Sequence, residues 1–394
     1  MSFLRAARAA LGQSCLPQIS VAVVVVFVLA GLSLSCGSSS HSTSGPNHNA
    51  YVTLPSRGSV LLLHINGATG AITLGAETPQ VENTSPTGVA LLPSKKFLYA
   101  INSSSFADSI SIFNVASDGT LALSGTPTPA GNGPNDAVID PSGKYLLVTN
   151  NFGGNVSVYS IDASSGALAE VTGSPFPANS NPSEILITPS GKFVYVTNPG
   201  IGMVTAFTFS NGVLTKVPGS PFLSAQEGGA FGLAVDGSEK FLYVANPSAS
   251  NPQPFSSTTG NVSGFNIIPS TGALTPILGS PFTATNGKGP SAVTVDPSGR
   301  FVYATTPGSS FSVWCFTITP TNGQLVAVTN SPFSLTAGGL FALFDPSGNY
   351  FYIGSQDSTG IAGYTYDPST GTPTAITGSP FSTIAAPGKM VLSE

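Results

Sequence analysis

The chain has 394 residues and a formal net charge of −5 at pH 7, and 7% of its residues are charged against 41% hydrophobic. Its 45 Gly and 33 Pro, combined with few Lys and Glu residues, favour strands and tight turns over helices. No basic stripe is present to neutralise phosphates, so we do not expect nucleic acid as a partner.

The first 36 residues are predicted to be an export signal. Arg5 and Arg8 precede an apolar run over residues 19–34, which is the arrangement of a secretory signal peptide. The run ends at Cys36 in a sequence that resembles a bacterial lipobox, although Ser33 stands where Leu is commonest. We therefore expect export and lipid attachment at Cys36, with the membrane of the bacterial cell envelope as a partner. Ordinary cleavage, giving a periplasmic or secreted protein, and an uncleaved anchor are the alternatives.

Residues 37–49 are rich in Ser, Gly and Asn and are predicted to form a flexible tether. Beyond this tether the only cysteine is Cys315, so no disulfide is expected in the folded part. Because Cys315 lies in an apolar strand pattern, we expect it to be a small core residue and not a nucleophile.

A strand pattern typified by Tyr-Val-Thr-Asn at residues 195–198 recurs along the rest of the chain. Its anchor positions are Tyr51, Tyr99, Leu147, Tyr195, Tyr243, Tyr303 and Tyr352. The first five are spaced by 48 residues and the last two intervals are 60 and 49. This period is the signature of propeller blades. The sequence therefore predicts an all-β fold over residues 50–394, a seven-bladed β-propeller of four-stranded antiparallel blades, which we expect to be monomeric.

The third repeat shows how one blade is built. Its four strands are predicted at residues 136–140, 144–150, 155–161 and 167–172, and the turn Asp-Pro-Ser-Gly lies at residues 140–143. The first repeat begins at its second strand, and residues 387–392 resemble the inner strand that it lacks. We therefore expect the ring to close by pairing of its N- and C-terminal strands, which removes free sheet edges.

The Tyr-Val-Thr-Asn strands, the Asp-Pro-Ser-Gly turns and the Thr-Gly-Ala-Leu corner at residues 271–274 resemble those of the seven-bladed lactonase propellers. That family is similar to 6-phosphogluconolactonase and to muconate-cyclising enzymes, and it includes surface-layer proteins with YVTN repeats. The resemblance covers about residues 50–394 and implies the propeller fold and, as an expectation, lactone hydrolysis. Because these motifs are turn and packing elements, the function has to be argued from the site.

One repeat position offers candidates for chemistry. At the entries to the inner strands it holds Gly88, Asp136, Glu184, Gly232, Ala292, Ala342 and Lys389. Asp136 and Glu184 fall on consecutive blades, where two carboxylates can share a proton, act as general base or bind a cation. We predict them as catalytic residues and as metal ligands, with Ca²⁺ as the candidate ion; the alternative is a pair of solvated loop-end acids.

Further residues are predicted to bind substrate. Asn135, Asn150 and Asn198 lie near the same strand ends and offer amides to sugar hydroxyls or to Ca²⁺. Lys288 and Lys389 are the candidate cations for an anionic group. Residues 247–258 are an insertion in the fifth repeat, and its Phe255 is either a stacking residue for a sugar ring or part of a tolerated loop.

Two functions stay open at this point. One is a lactonase that hydrolyses a sugar lactone outside the cytoplasm, and the other is a non-catalytic cell-envelope propeller that binds a small carbohydrate or a protein. The histidines, His41, His48 and His64, form no cluster in sequence that predicts a metal or acid–base site.

The signal prediction is tested by substituting Cys36 with Ala. We expect the variant to remain an unprocessed precursor and to lose labelling by a fatty-acid analogue, because the thiol is the acceptor of the lipid. The measurement is metabolic labelling followed by electrophoresis. Equal labelling of the two proteins would exclude lipid attachment at this residue.

Overall fold

The computed structural model describes residues 47–80, 84–104, 108–224, 229–247, 260–283, 289–307, 312–335, 339–354 and 359–393. Within these ranges the chain forms seven antiparallel sheets, each a blade of a closed propeller, and two 3-10 turns. No helix of this described part is long and apolar enough to cross a membrane. The predicted all-β, seven-bladed fold is confirmed.

The strands follow the chain from blade to blade. Blade 1 contains β1 (His48–Leu54), β2 (Ser59–Ile65) and β3 (Ile72–Glu77), with a 3-10 turn at Pro55–Arg57. Blade 2 contains β4 (Pro86–Leu91), β5 (Phe97–Asn102), β6 (Ser109–Val115), β7 (Leu121–Leu123) and β8 (Thr128–Pro129). Blade 3 contains β9 (Pro134–Ile139), β10 (Tyr145–Asn150), β11 (Asn155–Ile161), β12 (Leu168–Glu170) and β13 (Phe176–Pro177). Blade 4 contains β14 (Ile185–Ile187), β15 (Phe193–Asn198), β16 (Met203–Ser210), β17 (Val213–Lys216) and β18 (Phe222–Leu223), with a 3-10 turn at Pro199–Ile201.

The remaining blades repeat this plan. Blade 5 contains β19 (Leu233–Val235), β20 (Phe241–Asn246), β21 (Asn261–Ile267) and β22 (Leu274–Pro276). Blade 6 contains β23 (Ala292–Val295), β24 (Phe301–Thr305), β25 (Ser312–Ile318), β26 (Leu325–Ala327) and β27 (Phe333–Ser334). Blade 7 contains β28 (Phe341–Phe344), β29 (Tyr350–Gly354), β30 (Gly360–Tyr366), β31 (Pro373–Ala375) and β32 (Phe381–Ser382), and the chain ends in β33 (Met390–Leu392).

The two ends of the chain close the ring. Strand β33 pairs antiparallel with β1, with Val52 opposite Met390 and Ala50 opposite Leu392. The sheet order β3-β2-β1-β33 therefore makes blade 1 from both ends of the chain, as predicted. Strand β1 begins at His48, two residues before the start that the repeat spacing indicated for the propeller.

Five blades carry a short fifth strand that the sequence analysis did not predict. In four of these blades the Ser-Pro-Phe segment after the fourth strand folds back, and its Phe pairs with the third strand, as Phe176 does with Val156. In blade 2 Thr128 takes this place and pairs with Ile110. The Ser hydroxyl adds a second link, since Ser174 Oγ accepts the N–H of Val158 at 2.9 Å. The exit segment thus stays attached to the blade that it leaves.

The cores lie between the blades. Each of the seven clusters of buried apolar side chains combines residues of two consecutive blades, such as Tyr243 of blade 5 with Trp314 of blade 6. Cys315 is fully buried in one of them, and burial raises the pKa of its thiol to about 12. These findings support its expected role as a core residue.

A hydrogen bond from the repeat's Tyr links each blade to the next at six of the seven junctions. The phenol donates to the carbonyl of a turn residue at 2.8–3.0 Å. The pairs are Tyr51 with Gly119, Tyr99 with Gly166, Tyr195 with Gly272, Tyr243 with Gly323, Tyr303 with Gly371 and Tyr352 with Gly70. Burial raises the pKa of Tyr51 to about 12, so the phenol stays a donor at physiological pH.

We expect Tyr195→Phe to lower the free energy of unfolding by about 1–2 kcal/mol, because the buried carbonyl of Gly272 loses its partner while packing is kept. Tyr145→Phe is the control, since Tyr145 packs edge-on against Phe209 and its hydroxyl makes no hydrogen bond among the described residues. Denaturant unfolding of both variants measures the difference. A loss for Tyr195→Phe no larger than that for the control would contradict this role of the phenol.

Candidate functional site

Three charged side chains from the same repeat position meet at one end of the central channel. Asp136 lies in β9 of blade 3, Glu184 precedes β14 of blade 4, and Lys389 precedes β33 of blade 1. Lys389 Nζ is 3.2 Å from Glu184 Oε1 and 3.7 Å from Asp136 Oδ2. We call these three residues the channel cluster. The structure therefore brings together the two predicted acids and one of the two predicted cations.

The repeat's Thr fixes the backbone of each member of the channel cluster. The hydroxyl lies near the end of the second strand and accepts the backbone N–H of the charged residue on the neighbouring inner strand. The acceptors are Thr149 for Asp136 at 3.1 Å, Thr197 for Glu184 at 3.0 Å and Thr53 for Lys389 at 2.9 Å. The Thr of the Tyr-Val-Thr-Asn motif therefore sets the start of the inner strand, and the charged side chains project from equivalent points of the ring.

Blade 2 has a small residue at the position equivalent to the channel cluster. This residue is Gly88, and a Cβ there would lie 3.0 Å from the carbonyl oxygen of Asn135 and 3.1 Å from Asp136 Cα. A side chain at this point would push against the entry to β9. Glycine therefore lets blades 2 and 3 approach closely beside Asp136.

The two acids also bind the backbone of the next blade. Asp136 Oδ2 accepts the N–H of Ile185 at 3.3 Å, and Glu184 is hydrogen-bonded by the N–H of Leu233. The Asp136 side chain is 10% exposed, against 29% for Glu184 and 26% for Lys389. Asp136 is thus the least exposed member of the cluster, and Glu184 and Lys389 are mostly buried.

Burial and charge act together on the protonation of the cluster. Burial raises the pKa of Glu184, the ammonium of Lys389 lowers it and the charge of Asp136 raises it again, with a net result above its ordinary value. For Lys389, burial lowers the pKa, but attraction to Asp136 and Glu184 outweighs it, so its pKa lies above its ordinary value. The lysine therefore stays charged, and the pKa of Glu184 lies above that of an ordinary glutamate because burial and the charge of Asp136 outweigh the ammonium.

The position of Lys389 bears on the prediction of Ca²⁺ at Asp136 and Glu184. Calcium takes six to eight oxygen ligands, and the position between the two carboxylates is held by the Lys389 ammonium. In the part of the chain that the structure describes, no three His, Cys, Asp or Glu side chains are grouped to hold a metal ion. A divalent ion bound by both carboxylates would therefore have to displace the Lys389 ammonium.

The predicted Asn ligands hold the fold around the cluster. Asn135 Nδ2 donates to the carbonyl and hydroxyl oxygens of Ser183, both at 3.3 Å. Asn150 and Asn198 are fully buried. Asn198 Nδ2 donates to the carbonyls of Ala178 and Ser180 at 2.8 and 2.9 Å, and Asn150 Nδ2 donates to Asn155 Oδ1 at 2.7 Å. The amides of Asn135 and Asn198 therefore hold loops, while the amide of Asn150 holds the neighbouring strand β11.

Several predicted residues lie outside the described ranges. These are Cys36, Phe255 with most of its insertion, and Lys288. The sequence analysis, in turn, did not predict the ion pairs of Lys389. The available signal was its repeat position, which Lys389 shares with Asp136 and Glu184, but the repeat gives no distance across the ring.

Known proteins share this architecture. The chain matches the family model described as Lactonase, 7-bladed beta-propeller, over residues 41–178 and 258–386, which is more than half of its length. It is similar to the crystal structure of a putative 6-phosphogluconolactonase from Bacteroides fragilis, with a TM-score of 0.74, 22% identity, and coverage of 90% of this chain and 100% of that one. It is also similar to the periplasmic gluconolactonase PpgL of Pseudomonas aeruginosa, with a TM-score of 0.69, 18% identity, and coverage of 88% and 99%. The comparison with curated proteins gave no match. At these identities the structural likeness shows the fold alone.

The electrostatics of the channel cluster can be tested with Asp136→Asn. We expect the pKa of Glu184 to fall, because the substitution removes a negative charge that raises it and leaves Lys389 to interact with Glu184 alone. Carbon-detected NMR of the labelled carboxyl across a pH titration measures the shift. Asp367→Asn, on an exposed turn of blade 7, is the control and should change nothing. An unchanged or higher Glu184 pKa in Asp136→Asn would show that the two acids do not interact.

Proposed function

This chain belongs to the lactonase family of seven-bladed β-propellers, and on that premise we propose that it hydrolyses an unphosphorylated sugar lactone. The observation that carries the proposal is the channel cluster. Lys389 Nζ lies 3.2 Å from Glu184 and 3.7 Å from Asp136 at one end of the channel. A carboxylate of raised pKa beside a fixed ammonium supplies the two groups that ester hydrolysis requires, a general base and a cation for the developing oxyanion.

In this reaction Glu184 acts on water. Its carboxylate removes a proton from a water molecule as the water oxygen attacks the lactone carbonyl carbon. The carbonyl π electrons move to oxygen, and the Lys389 ammonium stabilises that oxyanion. When the tetrahedral intermediate collapses, the ring C–O bond breaks, and the leaving alkoxide takes the proton from Glu184. The products are the open-chain hydroxy acid and the regenerated carboxylate.

Asp136 has a positioning role in this scheme. It is anchored by the N–H of Ile185, and its charge holds Lys389 protonated and raises the pKa of Glu184. A carboxylate with a raised pKa is a stronger base once it is ionised, and general bases work best when their pKa lies near the working pH.

The charge of the cluster selects against a phosphorylated substrate. With all three groups ionised, two carboxylates and one ammonium leave a net charge of −1, which repels a phosphate dianion. Lys389 is already paired with both acids. A neutral lactone meets no such repulsion.

Export is part of the same proposal. The signal-like residues 1–36 and the lipobox-like end at Cys36 support action in the cell envelope, in a lipid-anchored form. Sugar lactones outside the cytoplasm lack the phosphate that intracellular kinases add, which agrees with the charge of the cluster.

A second candidate function is a non-catalytic propeller that binds carbohydrate or protein. It is favoured by one observation: Lys389 lies next to the strand that closes the ring, so its ion pairs also connect blade 1 with blades 3 and 4. A cluster of this kind can stabilise the closed ring without any chemistry.

Hydrolysis of glucono-1,5-lactone by the parent protein and by Glu184→Gln separates these functions. We expect the variant to lose about 10²–10⁴-fold in kcat, because the amide cannot accept the proton of water. Since the base must be ionised, the parent's rate above spontaneous hydrolysis should rise with pH through a pKa above the ordinary 4.5 of Glu. Glu170→Gln, on the outer strand β12, is the control.

Activity at the level of spontaneous hydrolysis in the parent, or equal rates in parent and Glu184→Gln, would overturn the hydrolase proposal. A lower melting temperature for Glu184→Gln without any change in rate would identify the cluster as a structural link.

A further inference from the structure

We propose that Phe152 forms a second sugar subsite beside the channel cluster, so that the favoured substrate is the lactone of a disaccharide acid. This inference rests on the proposed function and extends it from a single sugar ring to two. Phe152 is 75% exposed, so most of its ring is accessible to a ligand.

The ring of Phe152 lies over the chain that leads to the catalytic acids. A Cβ built at Gly133 would fall 2.4 Å from Phe152 Cδ2, and Gly133 has a φ of +64°. Both its conformation and the ring above it therefore require glycine at this point. Gly133 precedes Asp136 by three residues, so one face of the ring covers the entry to β9 and the other is open to solvent.

Hydrogen bonds from both sides hold the loop that carries Phe152. Asn151 N donates to the carbonyl of Gly133 at 2.7 Å, and Gly153 N donates to the carbonyl of Asn132 at 3.0 Å. On the other side Ala178 N donates to the carbonyl of Gly154 at 2.9 Å. A ring on a backbone fixed in this way loses little entropy when a ligand stacks on it, which is the property of a preformed binding platform.

Polar groups of the right kind stand next to the ring. Asn181 Nδ2 donates to Asn151 Oδ1 at 3.2 Å, and Asn151 Nδ2 donates to the carbonyl of Pro182 at 3.2 Å. Each carboxamide has two N–H donors and an oxygen with two lone pairs, so both keep capacity for further hydrogen bonds. An apolar ring face bordered by amides matches a pyranose, which presents C–H groups on its face and hydroxyls at its edge.

The position of the ring calls for a second sugar unit. Asp136 N is hydrogen-bonded to Thr149 Oγ1, and Phe152 follows Thr149 by three residues, which places it at most about 10 Å further along the chain. Pro134 at the start of β9 pairs with Asn150 at the end of β10, so Phe152 lies at the same end of the ring as Asp136. A substrate whose lactone carbonyl lies at Glu184 and Lys389, and whose attached glycosyl group extends toward the loop of Phe152, uses both features.

The test compares glucono-1,5-lactone with cellobiono-1,5-lactone and maltobiono-1,5-lactone, which present a second glucose in two linkages. We expect a KM lower by about tenfold for at least one disaccharide lactone, the scale of one well-stacked aromatic contact. Phe152→Ala should remove that advantage without changing kcat or KM for glucono-1,5-lactone, and Phe152→Tyr should retain it. Leu278→Ala, which removes another highly exposed apolar side chain at 82%, is the matched control.

The outcomes separate this inference from the proposed function. Equal KM values for the three lactones in the parent, or a preference that survives in Phe152→Ala, would overturn the subsite and leave the hydrolase. If the parent hydrolyses none of them, saturation-transfer NMR with cellobionate and maltobionate decides. A signal from the glucosyl ring that is lost in Phe152→Ala supports the subsite without catalysis, and no signal in the parent overturns it.

Discussion

The structure depends on the contact between consecutive blades, and the repeat's Tyr is its most regular polar element. Sheets that pack face to face in a ring can slide over one another, because apolar contacts are not directional. A buried hydrogen bond from the phenol to a turn carbonyl of the next blade fixes the position of one blade relative to its neighbour. Six junctions have this bond, so the blades share one angular register and the inner-strand entries lie at equivalent points around the channel.

The junction between blades 3 and 4 departs from this rule and is the junction of the two acids. Its anchor is Leu147, which has no hydroxyl, and the polar links lie at the channel end instead. Thr149 Oγ1 donates to the carbonyl of Ser183 at 2.7 Å, and Asp136 accepts the N–H of Ile185. The blades are therefore linked at the channel cluster itself, where the proposed reaction would depend most on position.

The period of the sequence was enough to predict the propeller, its closure and the shared position of the charged residues. Tyr and Thr recur because each makes the same bond in successive blades, so a local motif carries information about neighbouring blades. The short fifth strands were missed, since two residues such as Phe176 and Pro177 pair only after the chain has turned back. The pairing of Lys389 with Asp136 and Glu184 was missed for a similar reason: it joins blade 1 to blades 3 and 4, and a linear repeat contains no such distance. Asn150 and Asn198 show a different limit. An amide at a strand end can bind a ligand or the protein itself, and only the structure shows that Asn198 binds the loop carbonyls of Ala178 and Ser180 and that Asn150 binds side chains of β11.

Lys389 lies beside the strand that closes the ring and also takes part in the proposed reaction. The stability of the fold and the amount of ionised Glu184 available for that reaction depend on pH in opposite directions. The raised pKa of Glu184 means that the folded state holds this proton more tightly than the unfolded chain, so its contribution to stability is present at low pH and is lost as pH rises through that pKa. The same ionisation creates the base that the proposed reaction needs. Lys389 offsets part of this loss, because its own raised pKa contributes stability throughout the range below the ordinary pKa of lysine. The cation beside the closing strand therefore compensates Glu184 and Asp136 when both are ionised, so one residue links the closed ring to the ionisation that the proposed reaction needs.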